Sequence, residues 1–233
     1  MPQKTDSFSF VSKRMNVVDL RKRDYREVWD VQKIVHQKRV NREIDDTLIL
    51  VEHNPVVTMG KSGKEKNLLF PPGLLKEKGV AYYRIERGGD VTYHGPGQLV
   101  GYPIFNIKEG LAGIKPFIEK MEEAIILILD DFGIKAEKRE KMVGVWTATG
   151  KICSIGIAVK RWVSFHGFAL NVNTDLTYFD LIVPCGLKNI TMTSMQRILK
   201  RTVPLDEVKR SVIEKFCRVF KKEAVMKCLE EII

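Results

Sequence analysis

The cysteine at position 185 is the residue best suited by its neighbours to act as a nucleophile. It stands between Pro184 and Gly186, and a short stiff loop is a good mount for a reactive side chain. The thiolate is the nucleophilic form, so such a cysteine needs a base or a cation nearby. The other three cysteines are better explained as small buried hydrophobic residues in strands or amphipathic helices: Cys153, Cys217 and Cys228.

Three residues have the chemistry to activate that thiol. Lys151 opens a predicted strand, and although a lysine is usually a solvated surface charge, burial would favour its neutral, basic form. Its cationic form would in turn stabilise a thiolate. His94 and His166 are the alternatives, but a histidine in an apolar strand is more often a hydrogen-bonded core residue than a catalyst. The sequence alone does not place any of the three beside Cys185.

The stretch from Arg87 to Gln98 is the densest in residues that serve backbone geometry and chemistry together. It reads R-G-G-D-V-T-Y-H-G-P-G-Q, and its four glycines and one proline favour turns and close backbone approach. Predicted strands at 80–85 and 99–104 flank it. We therefore expect a loop with exposed amides held by two strands, and a purely structural cluster of turns is the alternative.

Apolar residues that recur with the helical period predict helices in several places. The first begins at Asp24, which fits a capping box with Glu27. The segment from Pro204 to Ile233 is predicted as the C-terminal helices, one long and one short. Other helical segments are predicted at 72–78, 113–132 and 177–181.

Alternating or continuous apolar runs predict the strands, which are placed at 16–20, 47–52, 56–59, 80–85, 99–104, 143–147, 151–159 and 163–172. Short turns separate the last three runs, and this spacing predicts an antiparallel meander. One main sheet, mixed and largely antiparallel, with helices packed against it makes the fold class α+β, in a single domain over 1–233.

Composition limits the classes of function. The chain has 233 residues, 44% hydrophobic content and a formal net charge of +10, which suits a sizeable core and an acidic partner. The basic residues are spread out without interleaved aromatics, so no nucleic-acid partner is expected. The longest apolar run, 124–129, is too short to span a bilayer, and no signal peptide is expected at the N-terminus. The cysteine and histidine spacings predict no metal site, and free thiols indicate a reducing, cytoplasmic compartment.

Five stretches of the chain, taken in order, resemble the lipoyl(octanoyl) transferase family. They are E-H-N-P-V-V-T-M-G at 52–60, the Arg87 stretch extended to Leu99, K-I-C-S-I-G at 151–156, S-F-H-G-F-A-L-N at 164–171 and P-C-G at 184–186. The second string is long and highly specific, unlike a lone glycine pattern. Asn54, where a second proline is common, is a mild departure with no evident catalytic consequence. The match extends roughly from Leu48 to Arg197.

The resemblance implies a biotin/lipoate protein ligase-like fold and a cysteine–lysine dyad. Cys185 matches the residue that carries the acyl group as a thioester, and Lys151 matches the lysine that activates it. Backbone amides near Cys185 and in the glycine-rich loop are expected to hold the developing oxyanion. Small residues on a strand are expected to leave room for the acyl chain. The matches to acyl-substrate contacts are Arg87, Gly88, Gly89, Asp90, Val91, Thr92, Tyr93, His94, Ser154, Ile155, Gly156, Gly167, Phe168 and Ala169.

The resemblance also implies the partners of the reaction. An octanoyl or lipoyl group would pass from the phosphopantetheine arm of an acidic acyl carrier protein to a lysine side chain. The acceptors would be apo lipoyl domains of 2-oxoacid dehydrogenases and the glycine cleavage H protein. Because exchange between thioesters is nearly neutral in energy and amide formation from a thioester is downhill, no ATP, metal or other cofactor is expected. Neither nucleic acid nor a membrane is expected as a partner.

Two other functions stay open at this point. An ATP-dependent lipoate or biotin protein ligase of the same fold would need a nucleotide-binding loop and would not need Cys185. The segment from Gly60 to Lys64 lacks the spacing of a phosphate loop and the helix that should follow it. A non-catalytic basic module that binds RNA or an acidic protein would form no acyl-enzyme, and its binding to nucleic acid would weaken strongly with salt.

Overall fold

The computed structural model describes residues 13–111, 113–184 and 190–233. The strands in these ranges are β1 (Arg14–Arg23), β2 (Asp46–His53), β3 (Val56–Met59), β4 (Ala81–Arg84), β5 (Val91–His94), β6 (Gln98–Ile104), β7 (Glu137–Arg139), β8 (Met142–Thr147), β9 (Gly150–Lys160), β10 (Val163–Asn171) and β11 (Glu223–Met226). The α-helices are α1 (Tyr25–Val40), α2 (Pro72–Glu77), α3 (Ile114–Asp131), α4 (Met195–Leu199) and α5 (Leu205–Phe220). Single 3-10 turns span Glu65–Asn67, Leu176–Leu181 and Leu229–Glu231.

Eight of these strands form one large sheet in the order β11-β1-β2-β6-β10-β9-β8-β7. Strand β1 runs parallel to both β2 and β11, and every other neighbouring pair is antiparallel. The α+β class and the largely antiparallel sheet predicted from the sequence are therefore confirmed. The predicted meander is strands β8, β9 and β10.

The large sheet separates two layers of helices because its buried strands point alternate side chains to opposite faces. On β2, Leu48 and Leu50 join the core beneath α3 and α5, whereas Ile49 and Val51 join the core beneath α1. Helix α3 buries residues that recur at helical spacing, and the same core contains residues of α5. The helix-period pattern at 113–132 thus identified a helix that, together with α5, covers one face of the sheet.

Strands β6 and β10 approach each other closely at one point near the centre of the sheet. A Cβ atom on Gly101 would lie 2.2 Å from the ring of Phe168, its partner in the strand register. A Cβ atom on Gly167 would lie 2.1 Å from the carbonyl oxygen of Gly101. Both positions therefore need glycine for packing between the strands.

Three predictions about elements were wrong or incomplete. Residues 91–94 are not a loop: they form β5, which pairs with β3 in a separate three-stranded sheet of order β4-β3-β5. The chain after α5 was predicted as a further short helix, but Glu223–Met226 pair as strand β11 with β1, and the helical part is the 3-10 turn Leu229–Glu231. Asp24 precedes α1 as predicted, but its side chain makes no capping bond and instead accepts a hydrogen bond from Asn54.

In the described ranges, no helix has the length and apolar character needed to cross a bilayer.

Candidate active site

A cavity of about 280 Å³ brings the sequence motifs together on one face of the large sheet. Its walls include Lys151 and all of the predicted substrate contacts except Tyr93. These residues come from the glycine-rich segment at 87–94, from 154–156 on β9 and from 167–169 on β10. Segments that lie far apart in the sequence therefore form a single enclosure.

Tyr93 lies outside this cavity, contrary to the expectation for a substrate contact. Its ring is buried and stacks on Tyr178 at a centroid distance of 4.8 Å, with Phe179 at 5.7 Å. Because residues 91–94 form a strand, Tyr93 points to the opposite face from Thr92 and His94. Its place is in the core beside the small sheet.

The floor of the cavity is a row of small and medium-sized side chains on three adjacent strands. Ala169 on β10 is paired with Val100 on one side and with Ser154 on the other, and all three line the cavity. The small side chain of Ala169 therefore leaves space on the floor of the cavity, whereas the carbonyl of Gly101 occupies the place where a side chain on Gly167 would begin. Both residues line the cavity and stay predicted substrate contacts.

Lys151 is buried, with 4% of its surface exposed. Its Nζ donates a hydrogen bond to the carbonyl oxygen of Val143 at 2.9 Å and lies 5.2 Å from the centre of the Trp146 ring. An aromatic face attracts the ammonium form of such a group. Lys151 is therefore a buried residue beside Trp146 and not a solvated surface charge.

The backbone of Lys151 is bonded on both sides to the chain just beyond residues 185–189. Its N–H donates to the carbonyl of Thr191 and its carbonyl accepts from the N–H of Thr193, each at 2.9 Å. On the other side of that gap, the N–H of Val183 donates to the carbonyl of Asn67 at 2.7 Å. Cys185 lies outside the described residues, and its role as nucleophile stays a prediction.

The glycine-rich segment is held against β3 by the Arg87 guanidinium. This buried group donates to the carbonyl of Thr58 at 2.8 Å, to its hydroxyl at 3.0 Å and to the carbonyl of Gly88 at 3.0 Å. A Cβ atom on Gly60 would lie 2.4 Å from the carbonyl of Gly89, so glycine there permits the contact. The segment from Gly60 to Lys64 thus packs against the glycine-rich segment that forms part of the cavity wall.

Two amides of that segment already have acceptors. The N–H of Gly88 donates to Ile157 at 2.8 Å, and the N–H of Val91 donates to the Asp90 carboxylate at 2.7 Å. The same carboxylate accepts from the side-chain amide of Asn67 at 2.6 Å. In this conformation, Gly88 and Val91 therefore do not offer their N–H groups to an oxyanion in the cavity.

Two buried histidines beside the cavity have defined tautomers. Gln98 uses its amide nitrogen to donate to Tyr93 and Asn171, so its oxygen accepts from Nδ1–H of His94 at 2.8 Å. His53 donates from Nδ1 to the carbonyl of Arg23 and accepts at Nε2 from the Tyr102 hydroxyl at 2.8 Å. Tyr102 lines the cavity, so His53 fixes the direction of its hydroxyl hydrogen.

Burial keeps these imidazoles neutral. It lowers the pKa of His94 to about 3 and that of His53 to about 4. Burial also lowers the pKa of His166, whose Nε2 lies 3.7 Å from the Glu86 carboxylate, beyond a good hydrogen bond. Neutral imidazoles with such low pKa values are weak bases near pH 7, which agrees with leaving the base role to a lysine.

Cys153 has the properties of a structural cysteine. It is fully buried in β9, and burial raises the pKa of its thiol to about 12. Such a thiol is inert near neutral pH. The prediction that Cys153 is a small buried hydrophobic residue is confirmed. Cys217 is half-buried against the same core, but the prediction was wrong for Cys228, which is exposed and follows β11 outside any helix.

Several cavity residues were missed in the sequence. The sequence patterns did not single out three aromatic residues of the lining: Tyr25, Tyr102 and Trp146. Glu122, close to Lys151 through Gly144, was also missed. Its signal was a lone carboxylate within the apolar face of α3. In the ranges that the structure describes, no group of three or more His, Cys, Asp and Glu side chains is arranged to hold a metal ion.

Comparisons with known proteins agree with this geometry. A family model described as the lipoyl protein ligase A/B catalytic domain matches residues 24–217. An octanoyltransferase of Dictyoglomus thermophilum is 49% identical over 201 residues, which cover 86% of this chain and 85% of that protein. One of Caldicellulosiruptor saccharolyticus is 45% identical over 209 residues, 89% of each chain.

The fold is also found among solved structures. A bi-partite lipoate protein ligase from Thermoplasma acidophilum superposes with a TM-score of 0.73 over 94% of this chain and 90% of that one. The two sequences are 16% identical, so this likeness concerns the fold alone. It confirms the ligase-like architecture expected from the sequence.

Proposed function

This chain belongs to the octanoyltransferase family, and we propose that it carries the octanoyl group as a thioester on Cys185 before passing it to a lysine of a lipoyl domain. Membership of the family makes the chain an acyltransferase of protein lipoylation. The observation that carries the proposal is the single cavity that joins a buried lysine to the glycine-rich segment and to the small residues of β10.

In the first half of the proposed reaction, the Cys185 thiolate attacks the carbonyl carbon of an octanoyl thioester. A sulfur–carbon bond forms and the carbonyl becomes a tetrahedral oxyanion. The oxyanion collapses, the pantetheine sulfur leaves with the electron pair of its bond to carbon, and it takes a proton from the Lys151 ammonium, which becomes neutral. Hydrogen-bond donors fixed before the reaction would stabilise the oxyanion. Lys151 in its ammonium form would stabilise the attacking thiolate.

In the second half, the ε-amine of an acceptor lysine attacks the octanoyl-cysteine thioester. Lys151 in its neutral form takes a proton from the attacking nitrogen, and the Cys185 sulfur leaves as a thiolate. The product is an amide, which lies downhill from a thioester, so the proposal needs no ATP, metal or other cofactor. Ala169 and its neighbours would hold the acyl chain during both halves.

The proposed donor is octanoyl-acyl carrier protein, and the proposed acceptors are apo lipoyl domains and glycine cleavage H protein. The formal net charge of +10 supports an acidic carrier as donor, because complementary charge raises the rate of encounter. The proposed compartment is the cytoplasm, where free thiols persist.

The test is the intact mass of the protein after incubation with octanoyl-acyl carrier protein in the absence of ATP. We expect an octanoyl adduct on the natural chain, no adduct on Cys185→Ala, and slow formation of the adduct on Lys151→Ala. Cys228→Ala is the matched control, since it removes an exposed thiol elsewhere and should leave the adduct unchanged.

An adduct that survives Cys185→Ala would remove this cysteine as the nucleophile. Transfer that requires ATP and forms no adduct would instead favour a ligase.

A further inference from the structure

A buried carboxylate lies next to the candidate catalytic lysine and takes no part in the mechanism described above. Glu122 belongs to α3, between residues that form the hydrophobic core, and is 7% exposed. A buried carboxylate is costly unless hydrogen bonds compensate its lost hydration. Its Oε1 accepts a hydrogen bond of 2.9 Å from the N–H of Gly144.

Gly144 separates this carboxylate from the amine of Lys151. A Cβ atom at Gly144 would lie 2.6 Å from Cε and 3.1 Å from Nζ of Lys151, and 2.6 Å from the carbonyl of Cys153. Its φ of 123° also lies in the region that favours glycine. Any side chain here would displace the lysine amine.

The same peptide group is bonded at both ends. The N–H between Val143 and Gly144 donates to Glu122, and the C=O of that peptide accepts from Nζ of Lys151 at 2.9 Å. Since a peptide unit is planar, fixing its N–H also fixes the direction of its carbonyl. Hydrogen bonds in such a chain polarise one another, which strengthens the carbonyl as an acceptor.

We propose that Glu122 and Gly144 are positioning residues for Lys151, with Glu122 holding the peptide whose carbonyl sets the place of the lysine amine. This inference rests on the proposed function, because it concerns the lysine assigned there. Glu122 itself touches neither substrate nor the reacting atoms in this scheme, and it acts through the peptide.

The experiment compares Glu122→Leu, which removes the acceptor, with Glu122→Gln, which keeps an oxygen acceptor and removes the charge. Glu123→Gln is the control, because it makes the same change at the next residue of α3, which is exposed. Each variant is assayed for kcat and KM with octanoyl-acyl carrier protein and for thermal unfolding.

We expect Glu122→Leu to lower kcat about ten- to a hundredfold with little change in KM, as for a misplaced catalytic group. Glu122→Gln should restore most of kcat, because its amide oxygen can still accept the hydrogen bond from Gly144. Glu123→Gln should match the natural chain in every measurement.

The inference is overturned if Glu122→Leu folds and keeps its kcat, or if Glu122→Gln fails to restore what the leucine variant loses. If Glu122→Leu does not fold, Glu122→Asp decides, because its shorter side chain no longer reaches the N–H of Gly144: a lower kcat with unchanged KM supports the inference, and an unchanged kcat overturns it. These outcomes differ from failure of the proposed function, in which the natural chain would form no octanoyl adduct at all.

Discussion

Two small residues on β10, two positions apart, have different reasons to be small. Gly167 faces the carbonyl of Gly101 on the neighbouring strand, and a side chain would collide with it. Ala169 lies on the floor of the cavity between Val100 and Ser154. The first should therefore control stability, and the second should control what fits in the cavity.

Exchanging these residues separates the two roles. Gly167→Ala forces β6 and β10 apart, and overpacking of this kind costs about 1–3 kcal/mol of unfolding free energy. Ala169→Val adds bulk to the cavity floor, so transfer of octanoyl should slow more than transfer of a butyryl group, while unfolding changes little. Urea denaturation and transfer rates with both acyl thioesters measure these effects. If Gly167→Ala slowed octanoyl transfer more than butyryl transfer and left the stability unchanged, the assignment of Gly167 to strand packing would be contradicted.

The sequence identified the residue types of the candidate site better than their orientations. Lys151 was named from its motif, but its burial depends on Trp146 and Val143, which reach it only through the pairing of β8 with β9. Tyr93 was misassigned because its motif was taken as a loop, in which side chains have no fixed alternation. Knowing that residues 91–94 form a strand would have separated Tyr93 from His94.

At the scale of elements, the last strand shows where sequence patterns mislead. Residues 223–226 pair in parallel with β1, so that Arg14 lies opposite Glu223. This pairing joins the two ends of the chain and has no local signal, because β propensity depends on cross-strand neighbours. The long helices, by contrast, were predicted well because their apolar faces repeat within the segment itself.

The chain after β11 is fixed by one buried residue. Ile232 is 2% exposed and packs into the core beneath α1, whereas Ile233 is 45% exposed. Ile232→Ala should lower the free energy of unfolding by about 2 kcal/mol or more, as for truncation of other buried side chains. Ile233→Ala should change it by less than about 0.5 kcal/mol. Equal effects in denaturant titrations would show that this end of the chain does not pack as described.

At the scale of the whole molecule, all four histidines are withdrawn from water. His36, His53, His94 and His166 are each buried, and desolvation lowers the pKa of each from an ordinary value of 6.5. Below pH 6.5 these histidines bind protons in the unfolded chain but stay neutral in the folded chain. Proton binding therefore stabilises the unfolded state, and the free energy of unfolding falls as the pH falls.

We expect the free energy of unfolding to fall between pH 7 and pH 5, by up to about 1.4 kcal/mol per pH unit for each strongly shifted histidine. Glu86 contributes little in this window, because burial raises the pKa of its carboxyl while hydrogen bonds such as the one from Trp29 lower it, to about 2 on balance. Denaturation by urea across this range provides the measurement, and His53→Gln should reduce the slope. A flat profile from pH 7 to pH 5 would contradict this account.

The close contact between β6 and β10 also limits how this sequence can diverge. Position 101 accommodates the ring at position 168, and position 167 accommodates the backbone at position 101. A substitution at one of these positions is therefore tolerated only when another of them has already changed, so we expect the three to change together in evolution. Epistasis among these positions would confine relatives of the chain to a few compatible combinations, and it would do so for reasons of packing alone.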